Sequence, residues 1–235
     1  ASSGEDIYLA LEEITDLYFK EHKYNEFVEY LNNLNSQKES LLPAVNYYTA
    51  LTRYYQLKYL EETQGWDEYF SQGNNYRSQV TESLQKTIDA TAPTDAARIY
   101  ARLLLWKFHR DQQAAASDAA LDSLVSATFA YAAGATNLAP IEDVAGQLSL
   151  YGEKAKAKEV YKIYVDKILK SDVKDEELKK IAAGFYDDGN LELSQNFYDI
   201  YIGRITPVEP KENLILLLKD IAVKFYYRKG APGDI

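Results

Sequence analysis

The sequence contains no cysteine, and its only two histidines, His22 and His109, lie far apart along the chain. The absence of cysteine excludes disulfide bonds, thiolate nucleophiles and cysteine-ligated metals. The histidines lack the HExxH spacing of zinc enzymes, and no GxSxG, GxGxxG or phosphate-loop motif occurs. We therefore expect no catalytic residue, no metal and no cofactor, and we predict that the protein is not an enzyme.

Basic residues are scarce, with 26 Lys and Arg against 36 Asp and Glu, for a formal net charge of -10. This balance disfavours nucleic acid and anionic lipid as partners, because both are bound largely through Lys and Arg. No apolar run approaches the ~20 residues needed to cross a bilayer; the longest, "LILLLKDIAV", is interrupted by Lys219 and Asp220. We predict no transmembrane segment, no nucleic-acid partner, and a partner with basic or aromatic groups.

Methionine is absent too, so the sequence does not begin at a natural start codon. Its small, polar opening "ASSGED" is typical of a mature terminus from which an export signal has been removed, although an artificial boundary would look the same. We expect an exported protein, periplasmic, secreted or in the cell envelope, with a cytoplasmic location as the alternative.

Sustained strand-type alternation is lacking, and apolar residues recur at intervals of three and four in nearly every segment. The six prolines fall at breaks between these segments, where a helix starts or cannot continue. Thr94 and Ser117 are predicted helix N-caps. Short connections predict antiparallel neighbours. The predicted helices are 5–21, 24–35, 43–63, 66–91, 94–111, 117–133, 138–151, 154–170, 174–188, 191–205 and 210–229.

A repeat is visible in the C-terminal half. The segment "IEDVAGQLSLYGEKAKAKEVYKIY" (141–164) aligns without a gap on "LKKIAAGFYDDGNLELSQNFYDIY" (178–201) at an offset of 37 residues. A small residue in the first helix lets its partner helix approach, and a glycine can adopt the positive φ that ends a helix. Tyrosines three apart share one helix face and are expected to pack on the next hairpin. The aligned pairs are Ala145/Ala182, Gly152/Gly189, Tyr161/Tyr198 and Tyr164/Tyr201.

This pattern resembles the tetratricopeptide repeat (TPR), a helix–turn–helix of about 34 residues with small residues at helix crossings and aromatics behind them. The resemblance is best over 141–205 and partial over 8–34 and 214–235, where His22 takes the turn of the first copy. The first-helix Trp of the family is replaced by Leu11, Ile141 and Leu178. The resemblance implies an all-α, right-handed α-solenoid of about five stacked antiparallel helix pairs.

We predict a single helical-repeat domain over 1–235. Its clearest repeats lie in 138–205, and its last repeat is expected to be truncated. Between about 40 and 135 the sequence predicts divergent hairpins, one of them with two long helices that turn near Gly65. We expect these hairpins to stack in the same solenoid; a separate small bundle is the alternative.

One aromatic cluster, "GWDEYFSQGNNYR", surrounds a predicted helix turn. Trp, Tyr and Arg are the residues that most often anchor interfaces, so Trp66, Tyr69, Tyr76 and Arg77 are the candidate partner-binding residues. Helix packing in a chain with 21 tyrosines is the simpler interpretation of the same cluster.

A curved helical-repeat surface is typical of proteins that bind peptides or other proteins. We therefore predict a non-catalytic protein- or peptide-binding scaffold module, a component of a cell-envelope or secreted assembly. The alternative is an all-α protein or enzyme that binds a glycan or small ligand in a cleft of aromatic and carboxylate side chains. A deep cavity with facing carboxylates would favour that alternative.

Overall fold

The computed structural model describes residues 4–35, 41–170, 173–187 and 189–229. These residues form eleven α-helices and no strand, which confirms the all-α prediction. Residues 1–3 of the opening "ASSGED" and 230–235 of the last predicted repeat lie outside them. The helices are α1 (Gly4–Lys20), α2 (Tyr24–Asn35), α3 (Leu42–Glu62), α4 (Trp66–Ala90), α5 (Ala96–Asp111), α6 (Ser117–Gly134), α7 (Ala139–Leu150), α8 (Lys154–Lys170), α9 (Asp175–Asp187), α10 (Leu191–Ile205) and α11 (Lys211–Lys229).

The predicted N-caps of α5 and α6 are wrong by one residue each. Asp95, not Thr94, caps α5: its Oδ1 accepts a hydrogen bond from the Ala97 amide at 2.9 Å. Ser117 is the first residue of α6, and its hydroxyl makes no capping bond. Aspartate is at least as good an N-cap as threonine, which explains why Asp95 rather than Thr94 caps α5.

Five helix hairpins end their first helix in the same way. The second residue after that helix adopts a left-handed conformation, with φ between 50° and 85°. The amide of the next residue donates to the carbonyl five residues back, as in Gly65 to Leu60 at 2.8 Å and Glu153 to Leu148 at 2.8 Å. This is the Schellman arrangement, and it reverses the chain within three residues. The left-handed residues are His22, Gln64, Gln113, Gly152 and Gly189.

Consecutive helices therefore pack as pairs. The two helices of the long hairpin, α3 and α4, pack along each other, as do those of α5 and α6 and of α9 and α10. The first helices of successive hairpins also touch in order, α1 on α3, α3 on α5 and α5 on α7. Within 4–165, α1, α3, α5 and α7 thus form one continuous layer, which includes the divergent hairpins.

The chain divides into two compact units, 1–165 and 166–235. The single domain expected over 1–235 stays a prediction, and the two units are described separately. In unit 1, α3 lies between two apolar clusters, one shared with α1 and α2 and one shared with α4 and α5. Ala50 and Ala101 have no exposed surface there, as expected of small residues at close helix crossings.

In unit 2, α9 and α10 pack through the residues that the repeat alignment singles out. Ala182 is fully buried, and its carbonyl accepts a hydrogen bond from the Ser194 hydroxyl at 2.7 Å. The rings of Phe185 and Phe197 stack at 5.6 Å. The ring of Tyr198 meets Phe225 of α11 edge-on at 6.1 Å, so this tyrosine does contact the following element as predicted.

The shared turn predicts that introducing glycine at the left-handed position of one hairpin and removing it from another change stability in opposite directions. Gln113→Gly should raise the free energy of unfolding by about 0.5–1 kcal/mol, because glycine adopts a left-handed φ without strain. Gly152→Ala should lower it by about 1 kcal/mol. A Cβ at Gly152 would meet no atom within 4 Å, so that cost is purely conformational. Urea denaturation followed by circular dichroism measures both.

The matched control is Gln113→Ala, which removes the same side chain but keeps the strained backbone. It should give no gain in stability. Equal gains from alanine and glycine at position 113 would contradict the role assigned to the turn.

Candidate functional site

The aromatic cluster that the sequence singles out begins at the surface of α4. Trp66 is 43% exposed and Phe70 is 78% exposed. The two rings stack with centroids 6.0 Å apart, and Tyr69 meets Trp66 edge-on at 5.7 Å. This first turn of α4 is an exposed aromatic step that could contact a partner.

Tyr69 and Arg77 are bound to each other beside that step. The Arg77 guanidinium lies over the Tyr69 ring, 4.8 Å from its centroid, and also donates a hydrogen bond to the Tyr69 hydroxyl. That hydroxyl donates to Glu61 at 2.7 Å, while Nε of Arg77 donates to Gln112 at 2.8 Å. Both side chains thus tie α4 to the ends of α3 and α5.

Tyr76 lies in the core of unit 1, away from the exposed step. It is 5% exposed, and its hydroxyl donates to Glu68 at 2.8 Å. The guanidinium of Arg53 lies over the Tyr76 ring, 4.6 Å from its centroid. That buried arginine donates in turn to Asn25 at 2.6 Å and to Gln79 at 2.7 Å. The structure therefore separates Tyr76 from Trp66, with the former in helix packing and the latter at the surface.

This separation predicts different costs for two alanine variants. Tyr76→Ala should lower the free energy of unfolding by about 3–5 kcal/mol, since it empties a core position. Trp66→Ala should cost less than about 1 kcal/mol, because the ring is largely at the surface. Thermal and urea denaturation of both variants, compared with the parent, measure the difference. Equal losses would contradict the placement of the two rings.

Unit 1 also contains a concave site that the sequence did not indicate. It is a cleft of about 1070 Å³ that opens to solvent. Its walls come from the layer of first helices, α1, α3, α5 and α7, with the end of α6 and the loops that precede α5 and α7. The polar and aromatic side chains that line it are Tyr8, Glu12, Tyr47, Tyr48, Thr94, Asp95, Tyr100, Tyr131, Thr136, Asn137 and Asp143.

Hydrogen bonds between elements hold the cleft tyrosines in place. The hydroxyl of Tyr48 donates to the backbone carbonyl of Tyr8 at 2.8 Å, which joins α3 to α1. The hydroxyl of Tyr100 donates to Oδ2 of Asp143 at 2.7 Å, which joins α5 to α7. The hydroxyl of Tyr131 donates to the carbonyl of Asn137 at 2.9 Å and fixes the loop before α7. The walls are therefore held in position before any ligand binds.

The charge of the cleft has one sign. Glu12, Asp95 and Asp143 line it, and no Lys, Arg or His does so among the described residues. None of the three carboxylates forms a salt bridge in the part of the chain that the structure describes. A smaller hollow of about 210 Å³ shares Glu12, Tyr47 and Tyr48 with the cleft and adds Asp16. The cleft and the hollow therefore adjoin, and together they are called the acidic groove.

The cleft tyrosines are held as neutral phenols. Burial, with a smaller contribution from Asp95, raises the pKa of Tyr8 to about 12. Burial also raises the pKa of Tyr47 and of Tyr48 well above the ordinary tyrosine value, and nearby Glu12 adds to both shifts. The pKa of Tyr100 is raised by burial and by its hydrogen bond to Asp143. At neutral pH, the tyrosines therefore add no charge to the groove.

These shifts predict an alkaline unfolding transition. A tyrosine with a folded pKa near 12 stabilises the fold fully below pH ~10 and loses that contribution as the pH rises toward 12, since the unfolded chain releases its proton first. Tyrosinate absorbance of the cleft tyrosines should therefore develop together with loss of helical circular dichroism. The unfolded chain in guanidinium provides the unshifted reference. Titration of all tyrosines near pH ~10 with helices intact would contradict the burial described.

Neither histidine belongs to a site of this kind. His22 occupies a hairpin turn, where its ring stacks on Tyr59 with centroids 4.2 Å apart. His109 lies in the last turn of α5, and burial lowers its pKa. Over the described residues, no group of three or more His, Asp or Glu side chains is placed to hold a metal ion.

Comparison with known proteins adds no relative: the chain matches no known protein family, no curated protein and no solved structure. Among the described helices, none is both long enough and apolar enough to cross a membrane.

Proposed function

We propose that this protein is a non-catalytic binding module whose elongated cleft in unit 1 holds a segment of a partner protein. The observation that carries the proposal is the cleft itself, which is formed by the first helices of four successive hairpins. A groove built in this way is the binding surface of helical-repeat proteins. The five hairpins with equivalent turns support a TPR-like, right-handed solenoid as the underlying architecture.

The dimensions of the cleft favour a chain-like ligand. Its volume of about 1070 Å³ lies slightly above the usual range of about 300–1,000 Å³ for small-molecule pockets, and the smaller hollow extends it along α1 and α3. Tyrosine rings supply large contact areas at a low cost in side-chain entropy, which suits recognition of a peptide. An exported protein with such a groove would serve in a cell-envelope or secreted assembly.

A glycan is the second candidate ligand, and one observation favours it. Tyrosine rings and carboxylates share the cleft walls, so a sugar could stack on a ring while its hydroxyls donate to an acid. The candidate partner-binding residues Trp66 and Tyr69 line neither the cleft nor the smaller hollow.

A peptide-display library panned on the purified protein tests the proposal. We expect selected peptides whose binding is lost in Thr136→Trp, because this side chain lines the cleft and a bulky indole there would obstruct the ligand. Ala115→Trp, in the exposed turn between α5 and α6, is the matched control and should bind normally.

Three results would contradict the proposal. Peptides whose binding survives Thr136→Trp but is lost in Trp66→Ala would move the site to the exposed aromatic step. Selective binding of β-linked hexasaccharides on a glycan array, with no peptide selected, would establish the second candidate instead. Turnover of a glycan or peptide would show an enzyme.

A further inference from the structure

We propose that the cleft recognises a positively charged segment, a stretch of peptide whose Lys or Arg side chains enter between the tyrosine rings and the three carboxylates. This inference rests on the proposed function and adds the chemistry of the partner. It commits to a cationic peptide; neutral and anionic ligands are the alternatives that the experiment distinguishes.

The negative charge of the cleft is complementary to that of a cationic peptide. Glu12 lies on α1, Asp95 caps α5 and Asp143 lies on α7, so the negative charges come from three separate elements that meet at the cleft. Covering these carboxylates with a neutral ligand would remove water from them without supplying a counter-charge, which is costly. A ligand that brings its own positive charges offsets that cost and is drawn to the cleft by the field.

Elsewhere in the chain, tyrosine rings contact cationic side chains. Outside the cleft, four tyrosines carry a cation of the same chain on their ring faces. Arg53 lies over Tyr76 at 4.6 Å, and Lys58 lies over Tyr54 at 4.8 Å.

Among the described contacts, the cleft tyrosines Tyr8, Tyr47 and Tyr100 have no such cation. They are half-buried, so part of each side chain remains accessible in the groove. A Lys or Arg side chain within about 6 Å of a ring centroid is attracted to its face, and more strongly where water is excluded. A cationic peptide would thus form in the cleft the same cation–tyrosine contacts that the chain forms internally elsewhere.

The geometry suits a side chain of the length of Lys or Arg. The Tyr100 hydroxyl holds Oδ2 of Asp143 at 2.7 Å, which places a negative charge at the edge of an aromatic ring. The apolar stem of the incoming side chain would pack on the ring while its charged end reaches the carboxylate. Glu12 and Tyr47 line both the cleft and the smaller hollow, so a second cation would find a similar setting there.

The test uses the full chain and three labelled octapeptides, of arginine, of citrulline and of glutamate, with binding measured by fluorescence anisotropy. Citrulline keeps the shape of arginine and removes its charge. We expect the arginine peptide to bind at least about tenfold more tightly than the citrulline peptide, and the glutamate peptide not to bind. Binding of the arginine peptide should weaken as salt rises from about 50 to about 500 mM, since screening shortens the reach of the field.

Two charge-matched triple variants locate the effect. The cleft variant combines Glu12→Gln, Asp95→Asn and Asp143→Asn. The control combines Glu29→Gln, Glu82→Gln and Asp118→Asn, which are exposed on the second helices α2, α4 and α6 and line neither cavity. We expect roughly tenfold weaker binding of the arginine peptide in the cleft variant and less than about twofold in the control. Circular dichroism confirms that both variants are folded.

Asp95 is also a helix cap, so Glu12→Gln with Asp143→Asn alone provides a second variant if the triple variant fails to fold. Equal affinity for the arginine and citrulline peptides, no arginine binding at all, or equal losses in the two triple variants would overturn the inference. The display library distinguishes failure of the cationic-partner inference from failure of the proposed binding function. Selected peptides that require the cleft but carry no excess of Lys and Arg would leave the proposed function standing and overturn the cationic partner.

Discussion

The structure depends on one backbone constraint, a single left-handed residue between the two helices of each hairpin. It forces the chain to reverse within three residues, so the second helix must return along the first. The constraint recurs at His22, Gln64, Gln113, Gly152 and Gly189. Because every first helix is terminated in the same manner, the hairpins can stack in unit 1 with their first helices in contact, and that layer forms the walls of the cleft.

Tyrosine has two uses in this fold. In the helix-packing layer, Tyr76 and Tyr198 bury their rings, and the hydroxyl of Tyr76 donates to a carboxylate. In the cleft, the hydroxyls of Tyr100 and Tyr131 donate hydrogen bonds to neighbouring elements, and both residues line the wall. A phenol serves both uses because it combines a large apolar area with one polar group. A ring held by its hydroxyl loses little further freedom when a ligand binds, which favours affinity.

The cationic partner that we propose follows from an asymmetry in charge placement. The chain has 26 basic residues, several of which already lie over tyrosine rings or in ion pairs within unit 1. The acidic groove has none in its described lining. Asp95 and Asp143 accept hydrogen bonds within the fold, but no basic side chain balances their charge or that of Glu12 in the described lining. A cationic ligand in the cleft would relieve the repulsion between these carboxylates.

Much of the fold could be predicted from the sequence, because helix periodicity and turn chemistry are local. The helix bounds and the turn role of His22 and Gly152 follow from residues within a few positions of one another. The burial of Ala182 follows from the repeat, which aligns it with Ala145. Gln64 and Gln113 carry no such signal, since glutamine is not a typical left-handed residue and only the packed hairpin imposes that conformation. The cleft was decided by tertiary structure alone. Tyr8, Tyr47, Asp95, Tyr100 and Asp143 come from segments far apart in the chain, and only the stacking of the first helices brings them together.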